Sequence, residues 1–145
     1  MLREQFESVL AEFGEAVKLP LALDGDGTAT FTIDEEIVVN LQYLDESDSV
    51  IAFAPLGAFG GADAPDAGRK AQLLLRMNEI GGPTGGFTLA LDEDADLVLA
   101  MDRRSALEIS SADALAAWTE ALVDAVRAVR DRFAEEFPAA EDGRA

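Results

Sequence analysis

Three strand-like runs joined by very short acidic links constrain this chain more than any other feature. The runs are TATFTI at 28–33, IVVNLQYL at 37–44 and SVIAFAP at 49–55, and the links are DEE and DESDS. Side chains that alternate in polarity in this way are typical of half-buried strands. A parallel connection needs a crossover of about a dozen residues or more, so links this short predict an antiparallel meander.

Helices are predicted on both sides of this meander. Leu2, Phe6, Val9 and Phe13 recur at helical spacing in a first segment that Pro20 ends. A second helix is predicted from about 65 to 79, because a proline and an aspartate open it and Gly-Gly-Pro stops it. Apolar residues lie on more than one side of this second helix, which is unusual for a helix that is covered on one side only.

The last third of the chain predicts two more strands and a long helix. FTLALD and LVLAMD flank the acidic segment DEDAD at 92–96. Ser110 and Asp113 are placed as a capping box for the helix that follows. The apolar stripe of that helix keeps steps of three and four residues and consists of Leu115, Trp118, Leu122, Val126, Val129 and Phe133.

The order helix, three strands, helix, two strands, helix predicts an α+β fold. No regular crossover helices separate the strands, so a mostly antiparallel twisted sheet packed with helices is expected rather than a doubly wound fold. We expect a single domain over residues 1–137 and a flexible acidic tail over 138–145, because Pro138 ends the helical pattern.

The charge of the chain restricts its partners. The formal net charge is -18, the sequence pI is about 4.1, and the chain contains no cysteine and no histidine. Such a surface repels phosphate backbones and anionic lipids, so nucleic-acid binding and membrane insertion are not expected. Disulfides, thiolate chemistry and histidine bases are excluded. The charged N-terminal residues do not resemble a signal peptide, and cytoplasmic localisation is expected.

No segment carries a recognisable catalytic or metal-binding motif. DEDAD lacks the central glycine and distant glutamate of a calcium loop and lies between strands, so a hairpin turn is expected, with weak calcium binding as the alternative. LGAFGGA and GGPTGG do not match a phosphate-binding loop. No catalytic residue, metal or cofactor is therefore predicted. An acidic hydrolase that uses a carboxylate pair remains a distant alternative.

Surplus apolar surface is the remaining signal. IVVNLQYL has apolar residues on both faces, and the second helix carries three consecutive leucines. Three helices can cover one face of a five-stranded sheet, so the other face predicts a dimer and a further binding partner. The alternatives are that helices cover both faces or that the assigned strand faces are wrong.

The segment LLLRMNEIGGPTGGFTLALDEDADLVLAMDRR, followed by a long helix with Trp118, resembles the class I type III secretion chaperones of the Tir-chaperone type. The shared pattern is a helix that ends near Asn78, a glycine-rich link, Leu89, Leu91 and Asp92, and a return strand at 97–99. The likeness covers roughly residues 2–137. A Leu-Pro-Leu-like stretch often follows the return strand in that family, and Leu107 and Ile109 stand in its place here.

The resemblance implies a bacterial, cytoplasmic homodimer that binds the extended N-terminal segment of a secreted effector without ATP. It implies that the second helix contributes to the dimer interface, with Leu73, Leu74 and Met77 as candidates. The candidates for effector binding are Phe6, Val9, Phe13, Ile37, Val39, Leu41, Ile51 and Phe53. Several of these eight are expected to be exposed. The runner-up is a small acidic α+β regulatory or scaffold protein that binds a folded partner without any export role.

Overall fold

The computed structural model describes residues 2–79 and 81–138 and confirms the predicted α+β fold. The elements follow the predicted order: α1 Leu2–Val17, β1 Thr28–Ile33, β2 Ile37–Leu44, β3 Ser49–Ala58, α2 Ala67–Met77, β4 Thr88–Asp92, β5 Leu97–Ser105, a 3₁₀ turn Ala106–Ile109 and α3 Ala112–Glu136. The five strands form one sheet in the order β1-β2-β3-β5-β4, and all neighbouring pairs are antiparallel. The predicted tail at 138–145 lies outside the described residues except for Pro138.

The first helix ends three residues before the proline that was expected to end it. Lys18 adopts a left-handed conformation with φ of 63°, and Leu19 N donates to Gly14 O at 2.8 Å. This is the hydrogen-bond pattern of a Schellman motif, in which a left-handed residue reverses the chain after the last turn. A Cβ at Gly14 would lie 2.5 Å from Leu19 O, so the reversal requires glycine at position 14.

The predicted capping box of α3 is wrong. Ser111, not Ser110, is the N-cap residue, and its side chain accepts a hydrogen bond from Ala114 N. Ser110 instead ends the 3₁₀ turn, which the sequence patterns did not predict. That turn has a capping box of its own, formed by Ser105 and Glu108.

One face of the sheet packs against α1 and α3 and forms the core. The sheet contributes mostly small and branched side chains to this layer together with Phe31 and Tyr43, and the helices contribute Phe6, Phe13 and the wholly buried Trp118. Trp118 Nε1 donates to Asp102 Oδ2 at 3.0 Å, so its one polar atom is satisfied. Its predicted place in the core is confirmed.

The opposite face of the sheet, here called the open face, keeps apolar side chains partly accessible. Ile51 and Phe53 on β3 and Leu97, Leu99 and Met101 on β5 are half-buried there. Phe53 lies opposite Asn40 on one neighbouring strand and Met101 on the other, and Ile51 lies opposite Gln42 and Arg103. The apolar stripe therefore follows the neighbouring strands β3 and β5, with the polar side chains of Asn40, Gln42 and Arg103 beside it.

Candidate functional site

The structure separates the eight candidate effector-binding residues into two groups. Ile51 and Phe53 lie half-buried on the open face. The other six belong to the core of the protomer and are at most 8 % exposed: Phe6, Val9, Phe13, Ile37, Val39 and Leu41. Several of the eight were expected to be exposed, and in the protomer only Ile51 and Phe53 are partly accessible. Strand alternation accounts for Ile37, Val39 and Leu41, because the odd-numbered residues of β2 all point towards the helices. The other three lie on the buried stripe of α1.

The three candidate dimer residues are also buried within the protomer. Leu73, Leu74 and Met77 are at most 7 % exposed, whereas Leu75 between them is 72 % exposed. Consecutive helical residues point about 100° apart, so a helix that buries two leucines against its own protomer presents the third to solvent. An apolar contact through α2 with a second molecule therefore depends on Leu75.

A surface groove lies between α1 and the 3₁₀ turn and is here called the N-terminal groove. Its volume is about 400 Å³. Phe6, Val9 and Ile109 lie deep in its apolar lining, and Leu107 stands at the surface with 67 % of its side chain exposed. Two of the buried candidates, Phe6 and Val9, thus still line an accessible surface, although their own exposure is small.

The two edge strands of the sheet, β1 and β4, differ in how their outward backbone N–H and C=O groups are satisfied. At the β4 edge, Asn78 Nδ2 donates to Leu89 O at 3.1 Å and Asn78 Oδ1 accepts from Leu89 N at 2.7 Å. The asparagine side chain therefore occupies the position of a neighbouring strand at this residue and closes that part of the edge.

The β1 edge is closed only at its beginning. Tyr43 N donates to Gly27 O at 2.8 Å, and this pairing directs the backbone groups of Thr28, Thr30 and Thr32 away from β2. Asp24 satisfies both groups of Thr28: its Oδ1 accepts from Thr28 N at 3.0 Å and its N donates to Thr28 O at 2.9 Å. Within the described residues, no group bonds to the outward N–H or C=O of Thr30 and Thr32.

The acidic segment DEDAD is a turn between β4 and β5, as predicted. Asp92 Oδ1 accepts from Ala95 N at 3.2 Å, and the Asp96 carboxylate accepts from Gly60 N at 3.0 Å and Gly61 N at 2.9 Å. Asp96 thus holds the glycine-rich loop after β3 against the β4–β5 turn. Among residues 2–79 and 81–138, no cluster of acidic side chains is arranged to hold a metal ion.

A polar network lies at the start of α1. The Tyr43 hydroxyl donates to Asp48 Oδ1 at 2.7 Å, and Arg3 Nη1 donates to both oxygens of Asp45. Burial of the phenol, with a further contribution from Asp48, raises the pKa of Tyr43 to about 12. The hydrogen bond to Asp45 raises the pKa of Arg3 above its ordinary value. The contact between Arg3 and Asp45 joins α1 to the β2–β3 link.

Comparison with known protein families identifies the fold. The family model described as "Tir chaperone protein (CesT) family" matches residues 8–130, which is most of the chain. The chain belongs to the Tir chaperone (CesT) family. The predicted resemblance to type III secretion chaperones is therefore confirmed. No curated protein sequence matches the chain.

Several solved structures share the CesT-family fold of this chain. A chain of the HopA1–SchA chaperone–effector complex is 22 % identical, with a TM-score of 0.73 over 89 % of this chain and 95 % of that one. A chain of the ExsC–ExsE complex is 21 % identical, with a TM-score of 0.73 over 89 % and 93 %. The structure of the Yersinia pestis type III secretion chaperone SycH with a stable fragment of YscM2 gives 28 % identity and a TM-score of 0.62 over 86 % and 97 %.

The residues that carry the family pattern lie together in the structure. Asn78 is the C-cap of α2 and bonds to Leu89, and Asp92 begins the turn that leads into β5. The sequence patterns did not predict the hydrogen bonds of Asn78, Asp24 and Asp96, although Asn78 and the DEDAD segment that contains Asp96 were noted. No helix in the described part of the chain combines the length and hydropathy needed to cross a membrane.

Proposed function

We propose that this CesT-family protein is a class I type III secretion chaperone that binds an extended N-terminal segment of a secreted effector and keeps it soluble. The observation that carries the proposal is that the folded protomer leaves two apolar surfaces accessible, the N-terminal groove and the open face. Chains with this fold occur in the HopA1–SchA chaperone–effector complex and in the structure of SycH with a YscM2 fragment.

The proposed effector-binding surface combines side-chain and backbone recognition. The N-terminal groove offers Phe6, Val9 and Leu107 to apolar side chains, and the open face offers Ile51 and Phe53. An extended segment can also add to the β1 edge, where the outward groups of Thr30 and Thr32 supply main-chain hydrogen bonds. Strand addition gives affinity for any extended chain, and the apolar side chains of the N-terminal groove and the open face select which residues of the effector segment bind.

We propose that the protein is a homodimer whose interface lies on the α2 and β4–β5 side. Leu75 is the most exposed large apolar side chain in the described chain, and Leu99 lies on the open face opposite Ala90 of β4. In this arrangement Leu73, Leu74 and Met77 hold α2 on its own protomer, and Leu75 supplies the apolar contact. A symmetric interface would use the same patch on both copies.

The charge and sequence motifs agree with a soluble holding chaperone. A net charge of -18 keeps a complex dispersed while it carries an apolar client segment. The chain has no phosphate-binding loop motif, in accord with a mechanism that needs no ATP. The proposed location is the bacterial cytoplasm, where the effector is made and held before export.

A tagged pull-down from the native host tests the proposal. Mass spectrometry should find one dominant client, and limited proteolysis should protect only a segment near its N-terminus. Leu107→Glu in the N-terminal groove and Phe53→Glu on the open face should each reduce the recovered client. A client protected over its whole fold would favour the scaffold alternative, and the absence of any client would contradict both.

The matched control is Ala121→Glu, which adds the same charge at an exposed position of α3 away from both apolar surfaces. Its recovery of client should equal that of the wild-type protein. Circular dichroism of each variant separates loss of binding from loss of folding.

A further inference from the structure

A second pocket lies where α1 and α3 meet the end of β1, and it is here called the α1–α3 pocket. Its volume is about 330 Å³. Phe13, Val17, Ile33 and Val123 form its apolar walls. Ile33 is the last residue of β1, so the pocket begins where the accessible edge at Thr30 and Thr32 ends.

Carboxylates surround the mouth of this pocket. Asp34 pairs with Arg127, so that cation is already engaged. Glu120 and Asp124 lie four residues apart on α3, on the same side of the helix, and both line the pocket. Within the described residues, neither of these two carboxylates has an ion pair or a hydrogen bond, so the mouth carries negative charge without a partner.

The lining of the pocket also includes a residue whose buried hydroxyl has no partner among the described residues. Thr119 lines the pocket, its side chain is 3 % exposed, and its Oγ1 has no hydrogen-bond partner among the described residues. Buried hydroxyl groups in folded proteins are normally hydrogen-bonded, because leaving one unpaired is destabilising. A threonine in a helix has two favourable χ1 rotamers, so this hydroxyl can turn towards a donor that enters the pocket.

We propose that the α1–α3 pocket binds an arginine or lysine side chain of the partner's extended segment. The aliphatic part of such a side chain fits against Phe13, Val17 and Val123, while its cationic end reaches Glu120 and Asp124. The donors of that cation also supply the hydrogen bond that Thr119 Oγ1 lacks. An apolar side chain would fill the walls but leave both the hydroxyl and the carboxylates without partners.

This inference rests on the proposed function, because the basic side chain arrives on a segment that lies along β1. A strand paired with Thr30 and Thr32 sends alternate side chains to the helix side of the sheet. Where the partner's segment continues beyond this paired strand and past Ile33, its next residue reaches the mouth of the pocket. The site thus selects a segment with a basic residue one or two positions beyond its paired residues.

Titration with synthetic peptides tests the inference. The probe is an amidated ten-residue peptide of alternating Thr and Val with one central Arg, and the control replaces that Arg by citrulline, which has nearly the same shape but no charge. We expect the Arg peptide to bind at least about fivefold more tightly than the citrulline peptide, because one or two solvent-exposed ion pairs contribute an effect of that size. Amide resonances of Thr30, Thr32, Thr119 and Val123 should shift on binding.

Variants of the pocket separate local recognition from general attraction to an acidic protein. Glu120→Gln with Asp124→Asn should lower the affinity for the Arg peptide to that for the citrulline peptide. Asp131→Asn with Glu135→Gln removes the same charge at the same spacing on the same helix outside the pocket, and should preserve the preference. Thr119→Val should weaken binding of the Arg peptide while raising the melting temperature of the protein. Thr119→Ser should retain the preference for the Arg peptide over the citrulline peptide.

Equal affinity of the Arg and citrulline peptides would overturn the inference, as would resonance shifts confined to the N-terminal groove or the open face. Either result would leave the chaperone proposal standing, because the protein would still bind extended peptides. Failure of both peptides at millimolar concentration would contradict the inference and the proposed binding mode together. The pull-down from the host tests the chaperone function separately.

Discussion

The side chain of Asn78 makes two hydrogen bonds to the backbone of Leu89: its Nδ2 donates to the carbonyl oxygen of Leu89, and its Oδ1 accepts from the backbone N–H of Leu89. A side chain at the end of α2 therefore completes the outer strand of the sheet in the way that a sixth strand would. This pairing also fixes the position of α2, because Asn78 follows the helix directly. The family pattern of an asparagine before a glycine-rich link thus has a physical reason in this chain.

Asn78→Ala should destabilise the protein by about 1–3 kcal/mol, because it leaves two backbone groups of an edge strand without partners. Urea unfolding measures the change. Asn78→Asp keeps the acceptor for Leu89 N but loses the donor, so an intermediate loss is expected. The control is Gln72→Ala, at an exposed position of the same helix. If Gln72→Ala lowered the free energy of unfolding as much as Asn78→Ala, the loss would come from the helix and not from the two hydrogen bonds.

Asp96→Ala should loosen the glycine-rich loop and cost about 1–3 kcal/mol, since two hydrogen bonds to a carboxylate are lost. Hydrogen exchange should accelerate at the amides of Gly60 and Gly61. Asp94→Ala, two residues earlier in the same turn, should leave these rates unchanged. Unchanged exchange in the Asp96 variant would show that the loop holds its conformation without the carboxylate.

Stability should fall with rising pH between about 10 and about 12 because of Tyr43. The phenol ionises near 10 in the unfolded chain and near 12 in the folded one, so in this window only the unfolded state gains from losing the proton. The free energy of unfolding should decrease by about 1–3 kcal/mol across this window, as expected for a raised phenol pKa. Tyr43→Phe should abolish this loss, although it also removes the hydrogen bond to Asp48.

Absorbance of tyrosinate gives an independent measurement, because the chain has a single tyrosine. The folded protein should titrate near pH 12 and the urea-unfolded protein near pH 10. A folded-state titration near 10 would mean that the phenol is not held by burial and by Asp48.

Leu75→Glu should convert the proposed dimer into a monomer, because it places charge at the centre of the apolar contact. Sedimentation velocity gives the oligomeric state directly. Leu107→Glu, which alters a similarly exposed leucine in the N-terminal groove, should remain dimeric while losing client. A Leu75→Glu protein that sediments like the wild type would move the interface away from α2.

The fold could be predicted from the sequence because local patterns determine it. Strand alternation, short links and helical stripes each depend on neighbouring residues, and every strand of the sheet begins and ends within a few residues of its predicted position. The bulge that extends β3 beyond Pro55 had no such signal, because it follows from pairing with β5, a strand far away in the sequence.

The site was harder to predict, because exposure depends on which side of the sheet the helices cover. Ile37 and Phe53 look equivalent as apolar strand residues, yet one is fully buried under the helices and the other faces outward. Leu73, Leu74 and Leu75 are adjacent and chemically identical, and only the rotation of α2 separates the two buried leucines from the exposed one. Such choices are made by packing between distant elements, which one sequence does not reveal.

The central pairing of β3 with β5 has a consequence during synthesis of the chain. β3 is an internal strand in the finished protein, but β5 leaves the ribosome only after α2 and β4 have been made, so β3 is for that time an unprotected edge. A nascent chain that ends in α2 presents Ile51 and Phe53 on that edge without the strand that later covers its hydrogen-bonding groups. This protein is thus most prone to aggregate before its second half has been made.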